Sequence, residues 1–361
     1  MAAAIAAIGC WSGGHDAPGS GGAGGGGGAD AGGGTGGAAG GGGSQALREA
    51  AAPTGRLVGA AIANSHLAEA AYATTAAATF DYVTPENEMK WTATEPSPGQ
   101  FTFTAADAVV DFAMQHGMKV KGHTLVWYSQ LPAWVSSLTT ADEVRAAMNN
   151  HITQVMTHFK GKVVAWDVVN EALSDDGVTL RPSVFLDQLG PGYIDEAFAT
   201  ARAVDPDARL YYNDYGTDGT SAKANAAYDM YVGMQARGVP LDGVGLQMHT
   251  GAPNMGPVLA TMVENMQRLA ALGLEIVISE MDVSVCDSDL ATQATRYHDV
   301  VAACLAQPAC KAITVWGVTD KYSWLNRRGD LCGTATQPLL FDADYAPKPA
   351  HMGFLNALLG M

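Results

Sequence analysis

The feature that most constrains this chain is an alternation. Short apolar, β-branched segments recur from residue 57 onward, separated by amphipathic stretches of roughly 10 to 20 residues. The strand-like segments are 57–63, 82–87, 119–127, 163–171, 209–214, 243–249, 276–283 and 312–320. Stretches between them, such as TAADAVVDFAMQHG and TADEVRAAMNNHITQVMTHF, carry helical spacing, and Gly117, Gly238 and Gly273 at helix ends read as C-caps. Eight β–α units favour an α/β chain closed into a (β/α)8 TIM barrel, with an open doubly wound sheet as the topological alternative.

Nearly every segment is apolar in its body and turns polar at its C-terminal end. Those ends carry Glu86, Asn87, His123, Asn170, Glu171, Asn213, Gln247, His249, Glu280, Asp282 and Asp320. In a barrel these positions surround the mouth where active sites form, and a purely structural barrel has little reason to gather so many polar groups there. Glu171 and Glu280 end the fourth and seventh segments, which stand across the mouth from one another. Two carboxyl groups flanking one bond are what glycoside hydrolysis requires: one protonates the leaving oxygen while the other attacks or activates water. A lone glutamate is ordinarily a solvated loop charge. These two each follow a segment too buried to leave a charge idle.

Charge narrows the partners. The 361 residues carry a net charge of −16 without any Lys/Arg cluster, which argues against nucleic acid or an anionic membrane surface as partner. A neutral substrate fits better, and no apolar run reaches the length of a transmembrane segment. Residues 11–46 are dominated by Gly with Ala and Ser, the composition of a flexible linker, and they lack the Gly-X-Y period of collagen. Before them, residues 1–10 resemble the end of a bacterial lipoprotein signal, with Cys10 as the lipidated cysteine, although no Lys or Arg precedes the apolar stretch. The expectation is a secreted or cell-surface, lipid-anchored protein whose single catalytic domain spans 47–361. Cys304 and Cys310 bracket a short proline-containing loop that sterically allows a bridge. Cys286 and Cys332 pair only if their loops meet, and free buried thiols stay open for all four. No spacing suggests a zinc site, and neither HExxH, a P-loop nor GxGxxG after a strand occurs, so no metal or organic cofactor is expected.

The segments WDVVNEAL (166–173), IVISEMDV (276–283), VTPENEMKW (83–91), GHTLVW (122–127), GLQMH (245–249) and ITVWGVTDKYSW (313–324) together resemble glycoside hydrolase family 10, over residues 55–361. That resemblance implies a monomeric retaining endo-1,4-β-xylanase acting on xylan and xylo-oligosaccharides. It implies Glu171 as acid/base, Glu280 as nucleophile and Asn170 on the 2-hydroxyl of the sugar being cleaved. His249, pinned by Asp282, would hydrogen-bond Glu280, and Gln247 would lie near the acid/base. Glu86, Asn87, Lys90, His123, Trp127 and Gln130 resemble the glycone pocket, with Trp316 and Trp324 as its walls; Trp91, Trp134 and Trp166 read as core. The stretch CLAQPACKAITVWG also looks like the family and supports the Cys304–Cys310 bridge. Tyr128 and Leu325 depart from residues common in the family and bear on binding subsites. Two alternatives remain: another retaining β-1,4-glycosidase such as a glucanase, and a glycan-binding barrel that has lost catalysis.

Overall fold

Short strands buried on both faces can satisfy their backbones only by pairing with one another, and a closed ring of them leaves no edge. The computed structural model describes residues 46–251, 256–286, 288–328 and 336–361. The linker, the signal-like segment with Cys10, and Cys332 lie outside the described residues. Among the described residues nine parallel strands are present: β1 (Leu57–Ile62), β2 (Tyr82–Pro85), β3 (Lys119–Trp127), β4 (Val163–Asn170), β5 (Arg209–Asp214), β6 (Gly243–Leu246), β7 (His249–Gly251), β8 (Glu275–Ser284) and β9 (Cys310–Val315). Each from β1 to β5 pairs with the next, β6 pairs with β8 through Gly243↔Glu275, β8 pairs with β9, and β9 returns to β1 through Leu57↔Ala312. The pairings therefore close an eight-membered barrel, with the three-residue β7 added on β8. Among the described residues no helix is long and apolar enough to cross a membrane.

Alternation along each strand divides the core in two. Outward-facing residues such as Val58, Val83, Val120, Leu210 and Ile276 join helix residues in one large cluster. Inside the barrel, Tyr82, Ala165, Tyr211, Val277 and Ala312 form a separate small one. On β3 the inward positions also carry charge: Lys121 Nζ lies 2.5 Å from Asp167 Oδ2, and His123 Nδ1 lies 2.8 Å from the same oxygen. All three are buried, so the ion pair recovers part of a desolvation cost that either charge alone would leave unmet. Helix termini follow local rules. Thr140 and Glu143 make a capping box before the helix Ala141–Phe159, and Gly117, Gly238 and Gly273 adopt φ of 67°, 75° and 78° as the C-cap reading requires.

Strand registers shift between His123 and Val126, between Asp167 and Val169, and between Ile278 and Met281. Such irregularities re-aim the side chains beyond them, here at the polar rim. Two expected strands end early. The segment 243–249 breaks after Leu246, because Met248 turns left-handed at φ 58° and starts β7 on a new register. The segment 312–320 ends at Val315; Gly317 takes φ 134° and Asp320 falls in the 3-10 helix Asp320–Tyr322. Asp320 there binds Lys348 Nζ at 2.8 Å and the Leu339 amide at 2.8 Å, a structural anchor apart from the other rim carboxyls.

Cys304 and Cys310 are bridged, with Cα atoms 5.3 Å apart. Gly122 is required by contact rather than conformation: a Cβ there would stand 2.1 Å from Trp166 Cε3. Trp166 is buried beneath the strand and has nowhere to move. Gly122→Ala should therefore lower unfolding free energy by about 1–3 kcal/mol, read as an earlier urea midpoint with an unchanged slope.

Candidate active site

Glu171 follows directly on β4 and Glu280 stands near the end of β8, both nearly inaccessible to water. Their surroundings treat the two carboxyl groups oppositely. Glu280 Oε2 lies 3.1 Å from His249 Nε2, whose Nδ1 lies 2.8 Å from Asp282 Oδ2; Asp282 also accepts from Trp324 Nε1 at 2.8 Å. Asn213 Nδ2 donates to Glu280 Oε1 at 2.6 Å. Burial alone would raise the Glu280 pKa, but His249, His123 and Lys121 outweigh it and bring it down to about 2. Burial likewise works against a charged His249, yet Asp282 and Glu280 overcome it and hold the imidazolium up to about 10. Both ring nitrogens then donate, one to each carboxylate.

Glu171 has no cation at its carboxyl. Trp127 Nε1 donates to its Oε2 at 2.9 Å and Gln247 Nε2 to its Oε1 at 3.0 Å. Burial first, then the negative charges of Asp214 and Glu280, push its pKa to about 7 despite those neutral donors. Between the two carboxyls runs a chain of amides. Asn213 Nδ2 reaches Asn170 Oδ1 at 2.9 Å, and Gln247 Nε2 reaches the same oxygen at 3.3 Å. Ser279 Oγ donates to Asn213 Oδ1 at 2.6 Å, which fixes the amide orientation. Gly245 makes room for this: a Cβ there would lie 2.0 Å from Asn213 Oδ1.

Beside Glu280 the rim is aromatic and basic. Trp316 packs edge-on to His123 at 5.3 Å between ring centroids, and Trp324 edge-on to His249 at 5.1 Å. Lys90 Nζ sits 5.1 Å from the Trp127 ring centroid and 6.0 Å from that of Trp316, and donates to Asn87 Oδ1 at 3.0 Å. Asn87 in turn contacts Glu86 at 3.4 Å. Gln130 enters by its backbone: left-handed at φ 48°, it offers its carbonyl to the Thr92 amide at 3.1 Å. Trp91 is buried against His151 at 3.9 Å and Trp166 is fully enclosed, as core tryptophans.

Sequence reasoning placed Asn213 at a strand end without giving it a task, and it proves to link Asn170 to Glu280. Asp214 was missed, although it is the strongest charge acting on Glu171. Its signal was adjacency to Asn213 at the end of β5. Lys121 and Asp167 were missed because each lies mid-strand, where only their shared inward parity marks them.

The raised Glu171 pKa couples to stability. Between the ordinary value of 4.5 and about 7 the unfolded chain releases this proton while the folded chain keeps it, so folding stability falls as pH rises through that window. Glu280 has the opposite sign, its contribution being present above 4.5 and lost as pH falls toward 2. Glu171→Gln has no proton to release. Chemical denaturation should show the stability difference moving toward the variant by on the order of 3 kcal/mol between about pH 4 and about pH 8.

With this geometry in view, the comparisons with known proteins are specific. Residues 46–357 match the description of Glycosyl hydrolase family 10. Endo-1,4-beta-xylanase D of Talaromyces funiculosus is 41% identical over 323 residues, covering 86% of this chain and 77% of that protein. Endo-1,4-beta-xylanase B of Thermotoga neapolitana is 40% identical over 278 residues, covering 75% and 79%. Among solved structures, xylanase 10B from Thermotoga petrophila RKU-1 in complex with xylobiose superposes with a TM-score of 0.83 at 40% identity, covering 87% of this chain and 97% of that one. Sequence and fold agree over the same residues, and the chain belongs to glycosyl hydrolase family 10.

Proposed function

We propose that the chain is a retaining endo-1,4-β-xylanase in which Glu280 is the nucleophile and Glu171 the acid/base. The observation that carries this reading is the opposed surroundings of two buried carboxyls. Glu280 meets His249, which draws its pKa down to about 2, whereas Glu171 meets only the neutral donors of Trp127 and Gln247 and burial pushes it to about 7. At neutral and mildly acidic pH one is an acid and the other a carboxylate, the division that double displacement needs.

In the first step Glu280 attacks the anomeric carbon while Glu171 transfers its proton to the departing glycosidic oxygen. A glycosyl–carboxylate bond forms as the interglycosidic bond breaks. In the second step Glu171, now ionised, takes a proton from water; the water oxygen attacks the anomeric carbon and releases Glu280. Two inversions leave the configuration retained. Charged His249 keeps Glu280 ionised and aimed, and Trp127 with Gln247 fixes the Glu171 rotamer. Asn170 Oδ1 is occupied by Asn213 and Gln247, which leaves its N–H groups to donate to a sugar 2-hydroxyl.

His123 stands edge-on to Trp316 and Lys90 Nζ lies 6.0 Å from that ring, and we read these groups, with Glu86, Asn87 and Trp324, as a pocket for xylose rather than for a sugar bearing a hydroxymethyl group. Rejecting one such group is worth about 1–3 kcal/mol, so some glucoside turnover is expected. The relatives named as endo-1,4-beta-xylanases, and the xylobiose bound in one solved relative, support the same substrate. The Cys304–Cys310 disulfide supports an exported protein, since such bridges persist in oxidising compartments.

Aryl β-xylobioside hydrolysis tests the assignment. Glu280→Ala should be inactive, and azide should revive Glu171→Ala with a β-xylobiosyl azide as product. Wild-type kcat/KM should fall about tenfold per pH unit above about 7, as Glu171 loses its proton. Cleavage of the cellobioside with the xylobioside untouched would make the chain a glucanase, and binding without cleavage of either would make it a lectin.

A further inference from the structure

The turn that carries Glu171 is unusual in its backbone. Glu171 is left-handed at φ 56°, a conformation that a non-glycine residue keeps only when its neighbours hold it. The amides of three consecutive residues are held from β5. Glu171 N–H donates to the Asn213 carbonyl at 2.8 Å, Ala172 N–H to the Tyr212 hydroxyl at 3.0 Å, and Leu173 N–H to Asp214 Oδ2 at 3.4 Å.

The three carbonyls all go to one residue. Arg181 donates from Nε to the Glu171 carbonyl at 3.3 Å, from its backbone N–H to that of Ala172 at 2.7 Å, and from Nη2 to that of Leu173 at 3.1 Å. The guanidinium is itself fixed. Nη2 meets Asp175 Oδ1 at 2.8 Å and the Tyr215 hydroxyl at 2.7 Å, and the ring of Tyr128 covers the guanidinium carbon at 4.6 Å. Only 15% of the Arg181 side chain is exposed. Tyr128 follows Trp127, whose indole holds the Glu171 carboxyl, so side chain and backbone of Glu171 are gripped from one corner.

We propose that Arg181 is a positioning residue for proton transfer by Glu171, setting the backbone from which that carboxyl reaches the leaving oxygen. The inference rests on Glu171 being the acid/base. A planar fork that serves two carbonyls, a carboxylate and a hydroxyl cannot be replaced by a lysine ammonium, although the charge can. Arg181→Lys therefore isolates geometry from electrostatics.

The test compares kcat/KM, which reports the first displacement, for two aryl β-xylobiosides. Phenolate leaves poorly and needs the acid, whereas dinitrophenolate leaves without one. Arg181→Lys should lower kcat/KM for the phenyl glycoside about 30-fold and for the dinitrophenyl glycoside less than about threefold. Equal losses on both substrates, or no loss on either, would overturn the inference, because a general structural defect does not distinguish leaving groups. Glu171→Ala is run alongside as the benchmark. If it shows the leaving-group contrast and Arg181→Lys does not, only the role of Arg181 falls. If Glu171→Ala lacks the contrast, the acid/base assignment falls and takes this inference with it. Should Arg181→Lys fail to fold, Tyr215→Phe removes one brace of the guanidinium and should show the same contrast at about fivefold; its absence there counts equally against the proposal.

Discussion

Withdrawing two carboxyl groups from water at one rim of an apolar barrel is the cost around which this molecule is arranged. A buried carboxyl can stay charged if cations and donors surround it, or it can keep its proton. The barrel uses both solutions within one cleft. Glu280 faces His249, Lys121 and the His123 ring; Asp282 is the anion of His249, and one oxygen of Asp167 serves both Lys121 and His123. Glu171 receives only neutral N–H donors and has Asp214 nearby, so it retains its proton. The polar content of the barrel interior follows from that difference. Lys121 and Asp167 never reach the rim, yet without them Glu280 would face a less positive interior.

Strand geometry makes the separation of environments possible. Asn213 on β5 touches Asn170 on the neighbouring β4 and, past Gly245 on the intervening β6, Glu280 on β8. Three of the register shifts, between His123 and Val126, Asp167 and Val169, and Ile278 and Met281, fall where apolar strand gives way to polar rim. They turn side chains that strict alternation would send into the outer core. Gly245 completes the arrangement by leaving the volume that the Asn213 amide occupies.

Much of this was legible in the sequence, and for physical reasons. Eight buried strands require a closed sheet, and polar residues at their ends have one place to go, so barrel and carboxylate pair could be read from pattern alone. The His249–Asp282 contact was implied by the family resemblance, with the two-residue spacing of Glu280 and Asp282 in agreement. Irregular backbone was not legible. The break at Met248 and the early end of β9, which moved Asp320 from the rim to a structural pair with Lys348, depend on left-handed residues that periodicity does not register. Asp214 escaped notice because its effect on Glu171 acts through space from the neighbouring strand, and its only local signal is its place beside Asn213 at the end of β5.

The excursion after β4 is closed at its base. Leu173 and Leu180 form a bridge, Ser174 N–H donates to the Thr179 carbonyl at 2.9 Å, and Arg181 ties off the strand side, while Val178 near the tip is 75% exposed. Chemistry and loop tip are thereby mechanically insulated from one another. Residues at the tip around Val178 can change character without disturbing Glu171, whereas Asp175, within the same excursion, braces Arg181 and cannot. Variation in this sequence therefore has room at the tip of the excursion and none at its base.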